Sequence, residues 1–208
     1  MVSGIEHIFY INLDKRSDRK EEFMQEMEKI GWIAERFSGF YYDPPKGIVG
    51  CTKSHLEVLK LAKHRGYKNV LICEDDLVWL ESKEVVKEEL DKLFKNENEI
   101  EFDVCFLAYN NQTIDCEYSP KYDFLIKTLY CTTASCYLVN DHYYDKLIEL
   151  YEVTLPLLDS TMQHWIYAND QVWKILQERD KWFCFSKRLA KQRDGFSDNA
   201  NKIVSYDC

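Results

Sequence analysis

With 208 residues, 46% of them hydrophobic and 14% aromatic, the chain is long and apolar enough for one domain with a substantial core, which excludes a disordered segment. A net charge of −9 excludes a protein built to bind a nucleic-acid backbone, and no apolar stretch is long enough to span a bilayer. A polyanionic ligand would therefore need a metal ion or locally placed Arg and Lys.

The N-terminus, MVSGIEHIFYIN, has no basic segment leading an apolar one and does not read as a signal peptide. A soluble intracellular chain, or a soluble part of a longer anchored protein, is expected. The eight cysteines contain no CxxC pair, and several lie in apolar runs such as NVLIC and DVCFLAY. Buried free thiols are expected in preference to a disulfide framework or a zinc site.

In chain order, residues 5–13 read as a first strand, and 14–31 as a helix with Asp18 and Glu21 at capping-box spacing and Gly31 as terminator. Residues 32–40 form a short second strand, and YYDPPKGIVG (41–50) is a loop by its prolines and glycines. A second helix spans about 51–65 with Gly66 closing it, and NVLIC (69–73) is the next strand. Residues 82–94 form an amphipathic helix with Val85, Val86, Leu90, Leu93 and Phe94 inward.

FDVCFLAY (102–109) is another buried strand, followed by a polar loop or hairpin arm. Residues 124–140 hold one or two strands, and Asp141 caps a helix over 142–151. Residues 153–168 read as an aromatic-rich connector, 169–180 as a short helix and 181–186 as a last strand. The tail from Lys191 is polar and irregular. Strands alternating with helices predict a mainly parallel sheet, with ligands beyond the carboxyl ends of its strands. Asn12 and the end of NVLIC both fall there.

Directly after NVLIC stand Glu74, Asp75 and Asp76, followed by the apolar Leu77, Val78 and Trp79. Three adjacent carboxylates between hydrophobic segments repel one another and cannot all be buried unneutralised. Strand alternation would place Glu74 and Asp76 on one side and Asp75 on the other, a hard-oxygen site for Mg²⁺ or Mn²⁺. A solvated charged turn, or an acidic cap of the next helix, is the competing explanation. The apolar flanks favour the metal.

Three segments, YINLDKRSDRKEEF, GCTKSHLEVLKLAKHRGYKNVLICEDDL and QRDGFSD, resemble glycosyltransferase family 25. That family includes bacterial lipooligosaccharide and collagen galactosyltransferases, with relatives in giant viruses. The resemblance implies a single α/β domain over 1–208 of the GT-A type, its mainly parallel central sheet flanked by helices. The nucleotide-sugar half would lie at about 1–108 and the acceptor half at about 109–208. It further implies hexose transfer, galactose or glucose, from a UDP-sugar to a glycan or protein hydroxyl, typically with inversion and with Mn²⁺ or Mg²⁺. The setting would be the cytoplasm of a bacterium or of a virus-infected host.

Carried over by motif, Glu74, Asp75 and Asp76 match the family's acidic triplet, with Asp76 as the first metal ligand and Glu74 or Asp75 assisting. Asn12, Leu13, Arg16 and Arg19 match a nucleotide-pocket motif. A solvated helix start is the alternative for the two arginines. Ser54 and His55 match a Ser-His pair placed to hold phosphate or orient a hydroxyl, with core packing as the alternative. The Gly-Cys turn suggests that Cys51 is a packed thiol. In the tail, Gln192, Arg193, Ser197 and Asp198 resemble a segment that folds over the site, Arg193 neutralising phosphate.

Inversion needs a base for the acceptor hydroxyl. Asp170 is preferred and Asp159 is retained, a helix cap being the alternative for Asp170. Trp165, Tyr167 and Trp173 stack on an acceptor sugar or simply pack, and His64, His142 and His164 are taken as structural. Two rival functions remain: a metal-dependent phosphoryl-transfer or hydrolytic enzyme, and a non-catalytic sugar-nucleotide or glycan-binding module. The lack of a P-loop counts against the first.

Overall fold

Apolar runs and glycine stops set the first half of the chain. Strand β1 (His7–Asn12) leads into helix α1 (Ser17–Ile30), then β2 (Glu35–Ser38), α2 (Gly47–Arg65) and β3 (Asn69–Glu74). The computed structural model describes residues 4–95, 100–110, 117–118, 122–197 and 202–205. Helices α1 and α2 stop at Gly31 and Gly66, whose φ values of 72° and 70° would strain a side chain. Next come β4 (Leu77–Trp79), α3 (Lys83–Phe94), β5 (Val104–Ala108), β6 (Glu117–Tyr118), β7 (Leu125–Lys127) and β8 (Cys136–Asn140).

A 3₁₀ turn (Asp141–Tyr143) precedes α4 (Tyr144–Thr161), α5 (His164–Tyr167), α6 (Asn169–Val172) and α7 (Lys174–Gln177). The chain finishes with β9 (Trp182–Phe185), β10 (Ala190–Gln192), β11 (Gly195–Ser197) and β12 (Lys202–Val204). No helix among the described residues is long and apolar enough to cross a membrane.

The central sheet has the order β2-β1-β3-β8-β5-β9-β7-β6. Strands β2, β1, β3, β5, β9 and β6 run one way, while β8 and β7 are reversed. The expected mainly parallel sheet flanked by helices is thus present. Strand pleating divides the core in two. Tyr10, Leu71, Cys73, Cys105 and Leu138 pack towards α1 and α3. Phe9, Val70, Ile72, Phe106 and Tyr137 pack towards α2 and α4.

Several local expectations need correction. Helix α2 begins at Gly47, so it takes the end of the expected 41–50 loop. Helix α4 runs through Pro156 to Thr161 where a connector was expected. Pro156 removes one helical N–H, but Leu147, Tyr151 and Leu158 bury along one face and hold the path. Asp18 is not the N-cap of α1, because the helix already starts at Ser17 with Arg16 at the cap position; Asp18 lies in the first turn and pairs with Arg16. Asp141 pairs with Lys68 and makes no cap. The polar tail forms β10, which pairs with β4, and the β11–β12 hairpin.

Trp173 is fully buried against Phe106, Tyr137 and Trp182, and its indole N–H donates to the Cys131 carbonyl at 2.9 Å. It belongs to the core and leaves the acceptor platform to other residues. Trp173→Ala should destabilise the fold by about 3–5 kcal/mol, read by denaturant unfolding. A loss below about 1 kcal/mol would mean that the aromatic cluster does not hold this side of the sheet.

Candidate active site

Parallel pairing aligns the carboxyl ends of β1 and β3, with Ile11 beside Glu74. Strand β3 ends at Glu74, and Asp75 and Asp76 form a tight turn into β4. The expected alternation therefore stops at Glu74, and it does not place Glu74 with Asp76 against Asp75. Asp75 and Asp76 share one cation: Arg19 Nη1 donates to Asp75 Oδ1 at 2.9 Å and to Asp76 Oδ2 at 3.1 Å. Glu74 turns towards α2, where its Oε1 lies 3.0 Å from His55 Nε2 and 3.5 Å from Cys51 Sγ.

An outer chain of hydrogen bonds fixes this turn. Arg36 donates to Asn12 Oδ1 at 2.8 Å, and Asn12 Nδ2 donates to Asp75 Oδ2 at 2.7 Å and to the Arg16 carbonyl at 3.0 Å. Gln192 Nε2 donates to Asp76 Oδ2 at 3.0 Å, and the Arg193 amide donates to the Asp76 carbonyl at 2.6 Å. Asp76 Oδ1 is buried without a hydrogen-bond partner among the described residues.

The electrostatics are lopsided, with three carboxylates gathered around one guanidinium. Burial, with Glu74 next, pushes Asp76 up to about 7 despite Arg19. Burial also raises Asp75 against Arg19 and Asn12. At Glu74 burial is outweighed by His55, Cys51 and Arg19, so its carboxyl lies below the ordinary value. An orphaned buried carboxylate oxygen beside a second acid suits a hard divalent cation. Asp76, through its unpartnered Oδ1, is the residue that could hold one, with Glu74 the adjacent acid that lines the same cleft.

Two clefts meet at this turn. The first, about 320 Å³, is lined by the carboxylates, Leu13, Lys15, Arg16, Arg19 and the run Phe40-Tyr41-Tyr42. Lys15 Nζ sits 3.9 Å over the Tyr41 ring. This aromatic run was missed from the sequence because it reads only as the end of a short strand and the start of a loop. Gly50 and Ser54 hold it. A Cβ on Gly50 would meet the Phe40 carbonyl at 2.2 Å, and Ser54 Oγ accepts the Phe40 amide at 2.9 Å.

The second cleft, about 740 Å³, shares Cys51, Glu74, Gln192 and Ser197 with the first and adds Asp170, His164 and Trp165. Asp170 accepts the Thr133 amide at 3.3 Å, and burial raises its carboxyl above the ordinary range. It lies in the first turn of α6, whose cap position is Ala168. Trp165 is 62% exposed at the rim, whereas Tyr167 packs against the core.

The other candidates fall elsewhere. Arg16 lines the first cleft but holds Asp18 at 2.7 Å. Ser54 and His55 lie in the body of α2 rather than at its start, so neither is a helix-terminus phosphate ligand. His55 is fully buried. Arg193 sends its guanidinium to Glu22 and Glu26 on α1, away from the clefts, and only its backbone touches Asp76. Asp159 is half exposed, pairs with Lys46 at 2.5 Å and lines neither cleft. Asp198 lies outside the described residues.

No protein-family model and no curated protein sequence matches the chain. Solved structures do. A glycosyltransferase involved in the glycosylation of the major capsid of PBCV-1 superposes with a TM-score of 0.53 at 8% identity, over 94% of this chain and 95% of that one. A197 from STIV superposes with a TM-score of 0.51 at 12% identity, over 96% and 93% of the two chains. At these identities the likeness is one of fold, and the architecture is GT-A-like.

Proposed function

We propose that the chain is a metal-dependent glycosyltransferase, related to family 25, that moves galactose or glucose from a UDP-sugar to a glycan or protein hydroxyl with inversion. The carboxylate turn carries this reading: Asp76 keeps a buried, unpartnered oxygen beside an aromatic, basic cleft, and the neighbouring Glu74 lines both that cleft and the one holding Asp170. The fold it shares with the capsid glycosyltransferase of PBCV-1 supports the reading.

Within it, Phe40, Tyr41 and Tyr42 offer flat faces to the base, and Lys15 and Arg16 offer charge to the diphosphate. Mn²⁺ or Mg²⁺, held by Asp76 and Glu74, would supply Lewis-acid stabilisation of the leaving nucleoside diphosphate. Arg19 bridges Asp75 and Asp76 and holds the two carboxylates together. Asp170 takes the proton of the acceptor hydroxyl, and Trp165 presents an exposed face to the acceptor sugar.

The test is UDP titration with and without Mn²⁺, followed by UDP release from a panel of sugar nucleotides. Metal-dependent binding with release from one UDP-hexose is expected. Binding without release would leave a sugar-nucleotide-binding module, and no UDP binding would end the reading. Arg16→Ala should weaken UDP binding about tenfold, the worth of one charge-assisted hydrogen bond, with little change in melting. Unchanged affinity would leave Arg16 as no more than the partner of Asp18.

A further inference from the structure

Cys51 and His55 stand four residues apart on α2, so both side chains leave one face of the helix. Glu74 reaches that face from the end of β3. Its Oε1 lies 3.0 Å from His55 Nε2 and 3.5 Å from Cys51 Sγ, and one ligand atom from each residue lies within 4.8 Å of the others. A tetrahedral zinc ion with bonds of about 2.0–2.3 Å holds such N, O and S ligands about 3.3–3.6 Å apart. The two edges to Glu74 already match those spacings to within about 0.4 Å.

The surroundings support the same chemistry independently. His55 Nδ1 is 2.9 Å from the hydroxyl of Tyr137, which is fully buried. In the tautomer with Nδ1–H donating to Tyr137, the Nε2 lone pair would be free to bind an ion between Glu74 and Cys51, the outer-partner arrangement of a metal-binding imidazole. Cys51 and Glu74 line both clefts, so a fourth position would open at their junction. A thiol, an imidazole and a carboxylate together form a softer donor set than Asp76 with Glu74.

We propose that Cys51, His55 and Glu74 form a site for one thiophilic divalent cation, Zn²⁺ being the probe, with its fourth position facing the junction of the clefts. The site does not rest on the sugar-transfer reading. Binding exchanges the two hydrogen bonds at Glu74 for three metal bonds: the His55 proton moves from Nε2, where it bonds Glu74, to Nδ1, where it is donated to Tyr137, and the Cys51 thiol gives its proton to solvent as the S–metal bond forms. Because Glu74 also belongs to the hard-cation pair, zinc bound here competes with Mn²⁺ there. Zinc was not expected from the sequence because it holds neither a paired CxxC nor an HExxH, and a Cys-x₃-His on one helix turn belongs to neither pattern.

Without an ion the same atoms make a satisfied hydrogen-bonded triad, and the thiolate distinguishes the two states. The experiment uses the full chain with Cys116→Ser and Cys208→Ser, which removes two thiols outside the described residues. Zn²⁺ is titrated against a chromophoric chelator, and Co²⁺ loading is followed by absorption. One ion per chain is expected, with a thiolate-to-cobalt charge-transfer band and the intense visible bands of a tetrahedral ion. Tyr137→Phe should weaken zinc binding about 10–100-fold and keep the band, and Cys51→Ser should erase the band and cost more than that. A Cys51→Ala variant repeats the measurement if the serine variant melts abnormally. Failure to hold zinc against the chelator, an octahedral cobalt spectrum, or unchanged affinity without Cys51 would each overturn the site.

Discussion

Asp76→Asn is expected to abolish Mn²⁺-dependent sugar transfer and Mn²⁺-dependent UDP binding, while the metal-free protein is at least as stable as the wild type at about pH 8. The substitution keeps an oxygen to accept from Arg19 and Gln192 but removes the charge that a cation needs. In the metal-free protein burial and Glu74 raise the Asp76 carboxyl from 3.8 to about 7. A carboxyl raised on folding contributes its stability fully below the unfolded value, and that contribution is lost as pH rises through the folded one. The wild type should therefore lose stability between 3.8 and about 7, and the Asn variant should lose less.

Denaturant titrations across that range, beside UDP-release assays, read both effects. Mn²⁺ affinity of the wild type should also weaken as pH falls below about 7, since protons then occupy Asp76. Near wild-type transfer by the variant would remove Asp76 from the metal. A variant less stable than the wild type at alkaline pH would refute the account of the buried charge.

Asp170→Asn should slow transfer by roughly two to four orders of magnitude while UDP-sugar affinity hardly moves. Asn keeps the size of the side chain and can still accept the Thr133 amide, so melting should change little. What it loses is the ability to take a proton. Asp159→Asn is the companion measurement, because Asp159 pairs with Lys46 and lines neither cleft, and its transfer rate should stay near wild type. Slowed transfer in the Asp159 variant with an active Asp170 variant would exchange their roles. If neither variant slows the reaction, product-anomer analysis by NMR tests whether transfer inverts at all.

Strands β1, β3 and β5 and helices α1 and α3 were legible because each depends on a local signal, an apolar run or an amphipathic period. The glycine stops at Gly31 and Gly66 needed only their own φ. The place of the acidic triplet was legible for a related reason. Charges that follow a buried strand without a break must sit at the rim of the core. What those charges meet was not legible. Arg19 reaches Asp75 and Asp76 across 56 and 57 residues, and Gln192 reaches Asp76 across 116.

Gln192 and Arg193 show how the tertiary structure decides. They are neighbours in one short tail motif, yet pairing of β10 with β4 sets Gln192 beside Leu77 and sends its amide to Asp76. The next side chain leaves on the other side, to Glu22 and Glu26. Likewise Asp159 and Asp170 are similar acids in adjacent segments. One ends on the exposed side of a helix that continues through its proline, and the other is buried in the second cleft. The sequence alone determined which segments are apolar, where they stop and where charge accumulates, because these follow from each residue's neighbours along the chain. Only the tertiary structure decided which carboxylate keeps an unpartnered oxygen and which is neutralised, because an ion pair depends on the register of strands and the packing of helices that are distant in sequence.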